Sequence, residues 1–558
     1  MAFQLSPGVN ISEVDLTTVV PSVATTIGGL AGAFTWGPAN EITIISNETQ
    51  LVDRFGKPDA NTFQTFFTAA NFLSYGSDLR IVRAVGAGAK NASSNTANTV
   101  LIENETDYQQ NHSANSSIAF HAKWAGELGN SIRVEMADSS SYTGWNSYKA
   151  EFDSAPATST YASQRGSTND ELHIIVIDKT GKISGTANTI LEKWGYVSKA
   201  SDAKNPDGTS NYYKDVLNSR SKYIWWGGHA ANTNSNWGTA ATGAVSYNVI
   251  STAVATDFSG GVDDTPTAAN INTAYDKFAN PDAVDVSLLM AGATIGSNTP
   301  NHLIALAETR KDCMVFVSPE QDDVVNNSGS VSTTVIATAG TYTKSSYAVM
   351  DSGYKYQYDK YNDVYRWVPL NGDIAGLCVR TDNERDPWFS PAGLNRGVIK
   401  NVVRLAWNPT KAQRDELYKA GVNSVVTFPG EGTILYGDKT LLNRPSAFDR
   451  INVRRLFIVL EKSIAKAARS SLFEFNDEFT RAAFVNIVEP FLRDVQGRRG
   501  IYDYRVVADT TNNTAEVIDQ NQFVGDIYIK PARSINFIQL NFTAVRTGVA
   551  FEEIVGRV

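Results

Sequence analysis

The side chains in this sequence that could carry chemistry are five histidines, two cysteines, two Asp-Asp pairs and a few glycine runs. His112, His121, His173, His229 and His302 never pair at the one-turn spacing that sets two imidazoles on one helix face for a metal. Asp263-Asp264 and Asp322-Asp323 are acidic pairs, but adjacent side chains diverge, so neither forms a ready cation cage. Gly28-Gly29-Leu30-Ala31-Gly32 and Gly86-Ala87-Gly88 lack dinucleotide-binding spacing, and no phosphate-loop or Gly-x-Ser-x-Gly pattern occurs. Cys313 and Cys378 lie far apart and read as reduced core thiols of a cytosolic protein. An α/β hydrolase would need a clustered nucleophile and base, and none assembles. The expectation is therefore no catalytic residue, no cofactor and no metal.

At 558 residues the chain should hold roughly three to four domains, with 42% apolar residues to fill their cores. A net charge of −9 argues against nucleic acid as a partner. The first residues show no basic or apolar leader, and no window approaches the roughly 20 apolar residues of a membrane span.

Residues 8–20 alternate apolar and polar between Pro7 and Pro21, as a strand that must find a distant partner. Residues 22–34 read as a buried strand, residues 62–73 as an amphipathic helix and 79–85 as a strand, so an α/β layer begins here. Residues 87–250 are polar, with strands at 118–134 and 172–177 and a helix mixed with loops at 191–224. They form an expected β-rich surface insertion in which four of the five histidines would be solvated. Helix and strand signals alternate again through 269–317, followed by a polar stretch at 320–347 and the Tyr-rich run Tyr354-Lys355-Tyr356-Gln357-Tyr358-Asp359. Further on come strands at 375–379 and 397–406, a helix at 410–420, and strands at 423–428 and 433–436. Ser446-Ala447-Phe448-Asp449 has the form of a capping box ahead of the most regular helix. Val453, Leu456, Phe457, Leu460, Ile464 and Ala467 share one face of that helix, and Arg455, Lys462, Lys466 and Arg469 the other.

Several stretches, in order from residue 6 to about 545, resemble one family. They include Ser6-Pro7-Gly8-Val9, Phe34-Thr35-Trp36-Gly37-Pro38 and Trp124-Ala125-Gly126-Glu127-Leu128-Gly129-Asn130. They continue with Pro369-Leu370-Asn371-Gly372-Asp373, Pro387-Trp388-Phe389-Ser390-Pro391 and Phe473-Glu474-Phe475-Asn476-Asp477. The ordered set resembles the contractile tail sheath proteins of tailed bacteriophages, the T4-like branch in particular.

The resemblance implies an α/β and α+β multidomain fold. It would have an extended N-terminal arm (1–21), a discontinuous subtilisin-like α/β middle domain (22–86 with 251–370) without protease function, and a protruding β-rich insertion (87–250). An α+β C-terminal domain facing the inner tube (371–545) and a C-terminal arm (546–558) would follow. It implies a structural subunit that polymerises as hexameric rings stacked around a tail tube and contracts to drive the tube through the host envelope. Its partners would be further copies of itself, the tube protein, and baseplate and terminator proteins, in a virion tail assembled in the host cytoplasm. A phage-derived contractile injection particle is the alternative setting, and an adhesive fibre or decoration protein is suggested only by the polar insertion.

Neighbours that slide during contraction stay joined if they exchange strands, because several backbone hydrogen bonds of roughly 1 kcal/mol each act together on a hinge. Val9, Ile11 and Val14 at one end and Val549, Phe551, Ile554 and Val555 at the other have the alternation for such arms. Ile538, Leu540 and Phe542 mark the expected host strand. The basic stripe of Arg455, Lys462, Lys466 and Arg469 is the expected tube-facing surface, making ionic contacts that are weak singly but repeated along the tail.

Overall fold

Near-continuous apolar runs such as Cys313-Met314-Val315-Phe316-Val317 are stable only where both faces of a strand are covered. The computed structural model describes residues 20, 23–95, 99–113, 118–230, 236–294, 296–536 and 539. The arm residues Val9, Ile11, Val14, Val549, Phe551, Ile554 and Val555 and the host-strand residues Ile538, Leu540 and Phe542 lie outside the described residues. The chain divides into two units, Met1–Leu472 and Phe473–Val558.

The first unit is organised by a seven-stranded sheet in the order Val422–Asn423, Ala348–Asp351, Met314–Val317, Leu288–Met290, Gly28–Gly32, Leu79–Arg83, Ile42–Ile45. All neighbours run parallel except the edge strand Ile42–Ile45. Strand alternation feeds two cores. Leu30, Leu288, Met290, Met314 and Phe316 enter one, with the helices Phe63–Leu73 and Asn371–Glu384. Ala31, Leu289, Val315 and Val317 enter the other, with Ala268–Tyr275, Asn298–Arg310, Val331–Thr341 and Lys411–Ala420.

The strand expected at 375–379 is the middle of the Asn371–Glu384 helix. That helix is buried around most of its circumference, so it carries no polar stripe to betray a 3.6-residue period. A Cβ on Gly372 would lie 2.5 Å from the Thr68 carbonyl oxygen, and one on Gly376 2.3 Å from the Tyr75 ring, so the two glycines let this helix press against Phe63–Leu73. Residue 371 is thus no break in the packing: the helix that begins there covers the sheet, and Val422–Asn423 is the sheet's last strand. The polar stretch 320–347 hides the Val331–Thr341 helix, whose Ser/Thr-rich composition gives it little intrinsic propensity but which buries Val335 and Ala339.

Between Leu79–Arg83 and Leu288–Met290 lies an antiparallel sheet ordered Thr189–Ser198, Glu171–Asp178, Ile132–Asp138, Val254–Asp257. The ten-residue Thr189–Ser198 strand takes the start of the 191–224 stretch, where a short helix mixed with loops was expected; the short helix is Tyr213–Arg220. The strand's register shifts twice against Glu171–Asp178, which breaks the strict period of two that marks a strand in sequence. His173 is buried in this sheet and His121 in the separate pair of Phe120–Ala122 with Ile224–Trp226, so the expectation of solvated imidazoles fails for both.

Arg83 ties this layer to the main sheet. Its buried guanidinium donates to the carbonyl oxygens of Phe34 (2.9 Å), Gly37 (2.8 Å) and Ala125 (2.8 Å). Burial pulls its pKa down to about 10 against the opposing charge of Asp263. Gly126, beside the Ala125 acceptor, has φ 131°, and a Cβ there would meet an Asp263 carboxylate oxygen at 2.5 Å.

The second unit contains the helix Glu478–Gly497, capped by Asp477, and the antiparallel pair Ile501–Val507 and Asp526–Pro531. Phe484, Val488, Leu492, Val495 and Ile501 are buried in it, while Phe473, Phe475 and Phe479 are exposed.

Replacing Arg83 with Met would leave three buried carbonyls without donors, each worth about 1 kcal/mol or more. The expected outcome is a fall of about 3 kcal/mol in unfolding free energy, read by denaturant titration, with proteolytic cleavage near residues 124–126 before the main sheet unfolds.

Candidate functional site

The Ile451–Ala468 helix is the surface on which the sequence concentrates cations, but it does not begin where the capping box suggests. Ser446 accepts from the Phe448 N–H and starts the short 3-10 turn Ala447–Asp449, and the helix itself begins at Ile451 after Arg450. Its first two turns are buried nearly all round, including Asn452, Arg454 and Arg455.

Arg455 corrects the expectation of a solvent-facing stripe. It is 4% exposed and makes a two-pronged pair with Asp382 of the Asn371–Glu384 helix, at 2.7 and 2.5 Å. Burial works against this cation, yet Asp382 holds its pKa above the ordinary arginine value. Thr25 donates to the same carboxylate at 2.6 Å. Residues 23–25 line a narrow cleft with Leu288, Met314, Arg455, Ile458 and Lys462, so the chain entering the first strand runs against this helix. Lys462 pairs with Asp285, and Arg469 with Asp282 at 2.8 Å. Lys466 is exposed, as is Arg469. One helix face therefore changes along its length from buried anchor to exposed cation. Asp382, Asp285 and Asp282 were missed in the sequence because they lie far from the cations they serve.

Most of the groups that could have made a reactive centre have other partners; His121 is buried with neither ring nitrogen hydrogen-bonded among the described residues. Asp263 and Asp264 accept the backbone N–H groups of Glu127 (3.2 Å) and Gly88 (2.8 Å). Asp323 accepts from the Glu320 N–H (3.1 Å) and the Thr338 hydroxyl (2.6 Å). His302 contacts Asp276 at 2.8 Å, His173 contacts the Ser154 carbonyl oxygen at 2.9 Å, and His229 contacts the Tyr213 hydroxyl at 2.5 Å. Among the described residues no three His, Cys, Asp or Glu side chains are grouped to hold a metal.

A buried polar cluster lies where the central parallel strands end. Asp351 accepts from the Ser318 hydroxyl (2.7 Å) and the Gly353 N–H (2.9 Å), and Asn371 donates to the Gly292 carbonyl oxygen (2.8 Å) and to Ser318 (2.9 Å). Burial pushes the Asp351 carboxyl up to about 8, a shift eased by these hydrogen bonds and increased by the charge of Asp373. Sequence alone did not single out this cluster, because its members are strand and helix ends far apart in the chain.

The first unit thus combines a parallel sheet with helices on both faces, an antiparallel layer inserted between its strands in sequence, and a cationic helix anchored through Asp382 to the helix that covers the sheet. Residues 25–84 match the tail sheath protein Gp18 domain III N-terminal region, 264–441 the phage tail sheath protein central domain and 443–544 the phage tail sheath C-terminal domain. The tail sheath protein of Enterobacteria phage T4 is 35% identical, over 99% of each chain. The fold is shared with the sheath tail protein from Desulfitobacterium hafniense (TM-score 0.52, 14% identity, 90% of this chain and 94% of that one). It is shared also with the contracted helical sheath of the anti-feeding prophage (TM-score 0.50, 14% identity, 97% and 99%). The chain belongs to the tail sheath proteins of contractile phage tails.

Two measurements test the site. Asp382→Ala strands a buried guanidinium and should cost about 3 kcal/mol or more in chemical denaturation, whereas Lys466→Ala should leave the denaturation midpoint unchanged. Asp351 binds its proton more tightly when folded than the ordinary carboxylate pKa of about 4. Its stabilising contribution is therefore complete below about pH 4 and is lost as pH rises towards about 8. Between pH 5 and pH 8, Asp351→Asn should show a smaller drop in melting temperature than the parent protein.

Proposed function

We propose that this chain polymerises as stacked hexameric rings around an inner tube in an extended state, and that contraction of the stack drives the tube through a host envelope. The full-length identity to a phage tail sheath protein carries this reading. The partners are then other copies of this chain, the tube protein, and baseplate and terminator proteins. The middle α/β layer is read as subtilisin-like, without hydrolytic activity. The tube would present acidic groups to the exposed end of the Ile451–Ala468 helix, where Lys466 remains available after Arg455 is withdrawn into its pair with Asp382, and where Arg469 is held only by an exposed pair with Asp282. Lys462, held by Asp285, would have to exchange partners to join them.

Neighbours are joined by terminal arms built on 8–20 and 547–555, docking on a host strand at 535–545. In support, Ile501–Val507 and Asp526–Pro531 form a two-stranded sheet, and among the described residues no third strand joins it. A lone pair of strands is marginal and gains most from an added one. The same reading holds for a phage-derived injection particle, a setting with which the fold shared with the anti-feeding prophage sheath is compatible.

Deleting residues 547–558 should give folded, soluble subunits that sediment as small species, and contracted polymers seen in negative stain would refute the arms. Lys466→Ala with Arg469→Ala should leave the fold intact and reduce sheathing of tubes; normal sheathing at raised salt would remove the tube contact. A hydrolase panel is expected to show no turnover.

A further inference from the structure

The first unit contains two Lys–Asp pairs with no solvent exposure on either side chain, and the two differ in how they are solvated by protein. In the inserted layer, Lys199 Nζ has three acceptors: Asp138 Oδ2 (2.8 Å) and the carbonyl oxygens of Asn169 and Asn248 (3.0 Å each). Asp138 is also supported by the Ile250 N–H at 2.7 Å and by the Ser140 N–H at 3.1 Å. Three donors on the ammonium and a fully bonded carboxylate make a complete buried ion pair.

The second pair joins Lys355, on the inward face of the Tyr354–Asp359 strand, to Asp373, in the first turn of the Asn371–Glu384 helix. Nζ lies 2.9 Å from Asp373 Oδ1, and its other acceptor is the Lys400 carbonyl oxygen at 2.9 Å. Two acceptors match the two hydrogens of a neutral amine, which leaves its lone pair free. Asp373 Oδ1 also accepts from the Tyr75 hydroxyl at 3.2 Å, and the Lys400 N–H donates to that hydroxyl at 2.8 Å. Among the described residues Asp373 Oδ2 has no hydrogen-bond partner. A bare carboxylate oxygen away from water is costly, whereas a carboxylic acid tolerates the site better.

We propose that Lys355 and Asp373 condense to an isopeptide bond, which would staple the Tyr354–Asp359 and Val364–Pro369 hairpin to the helix that covers the sheet. The reaction starts from amine and acid. Burial favours both neutral forms, lowering the Lys355 pKa against the charge of Asp373 and raising that of Asp373 against the charge of Lys355. The Nζ lone pair adds to Cγ while the Tyr75 hydroxyl holds the developing charge on Oδ1. An Nζ proton passes to the Oδ2 hydroxyl, the Cγ–Oδ2 bond breaks, and water leaves. One amide and one water form from one amine and one acid, with no change in oxidation state. In water the same groups remain an ammonium and a carboxylate, which do not react. A covalent tie would keep this hairpin seated when load passes through the subunit.

The test is the intact mass of the purified full chain, followed by peptide mapping. The expected result is a deficit of one water and a branched peptide joining Lys355 to Asp373, with Lys199 and Asp138 recovered in linear peptides. Lys355→Arg should restore the full sequence mass. A folded parent chain at full sequence mass, or one whose peptides containing Lys355 and Asp373 are all linear, overturns the proposal. That decision needs no variant to fold, and it leaves the sheath reading untouched.

Discussion

Arg83 is the contact on which the arrangement of the first unit rests. One guanidinium, removed from water, sits in the favourable field of Asp263 and takes its hydrogen bonds from three carbonyls on two separate segments, residues 34–37 and Ala125. Because its donors are fixed in a planar fork, the two segments can meet it in only one relative placement. Lysine at this position would supply the charge without the geometry. The antiparallel layer is therefore oriented on the main sheet by directional bonds as well as by apolar contact.

Arg455 follows the same logic on the opposite side of the unit. A buried cation that lost its partner would be severely penalised, so Asp382 and Arg455 hold the Ile451–Ala468 helix against the covering helix in one register. Beyond the first turns the packing relaxes, and the cations of that face pass from buried, through half-buried, to exposed. A buried anchor and an exposed cationic end thus share one amphipathic element.

Much of the α/β alternation was legible because parallel strands buried on both faces, such as Met314–Val317, are written as apolar runs. The helix Asn371–Glu384 was misread for the same reason, since a helix buried all round has the same apolar signature as a strand. The Ser/Thr-rich helix Val331–Thr341 was not legible because tertiary burial, rather than propensity, stabilises it. Helical spacing did place Arg455, Lys462, Lys466 and Arg469 on one face. Spacing within one element cannot show what packs against it, so the fate of Arg455 depended on Asp382, in another helix. The polar cluster at Ser318, Asp351 and Asn371 was invisible for a similar reason, since three distant segments converge there.

The order of strands in the main sheet has a consequence for how the subunit is made. Gly28–Gly32 pairs with Leu288–Met290, nearly half the chain later, and the far edge strand arrives only at Val422–Asn423. Contacts so distant in sequence are entropically slow to close, and a ribosome delivers the early strands long before their partners. The inserted antiparallel layer can close on local pairings while the main sheet waits. Completion of that sheet, and with it the seat of residues 23–25 against the Ile451–Ala468 helix, requires nearly the whole polypeptide. An unfinished chain therefore lacks the seat on which residues 23–25 rest until synthesis has passed the Ile451–Ala468 helix.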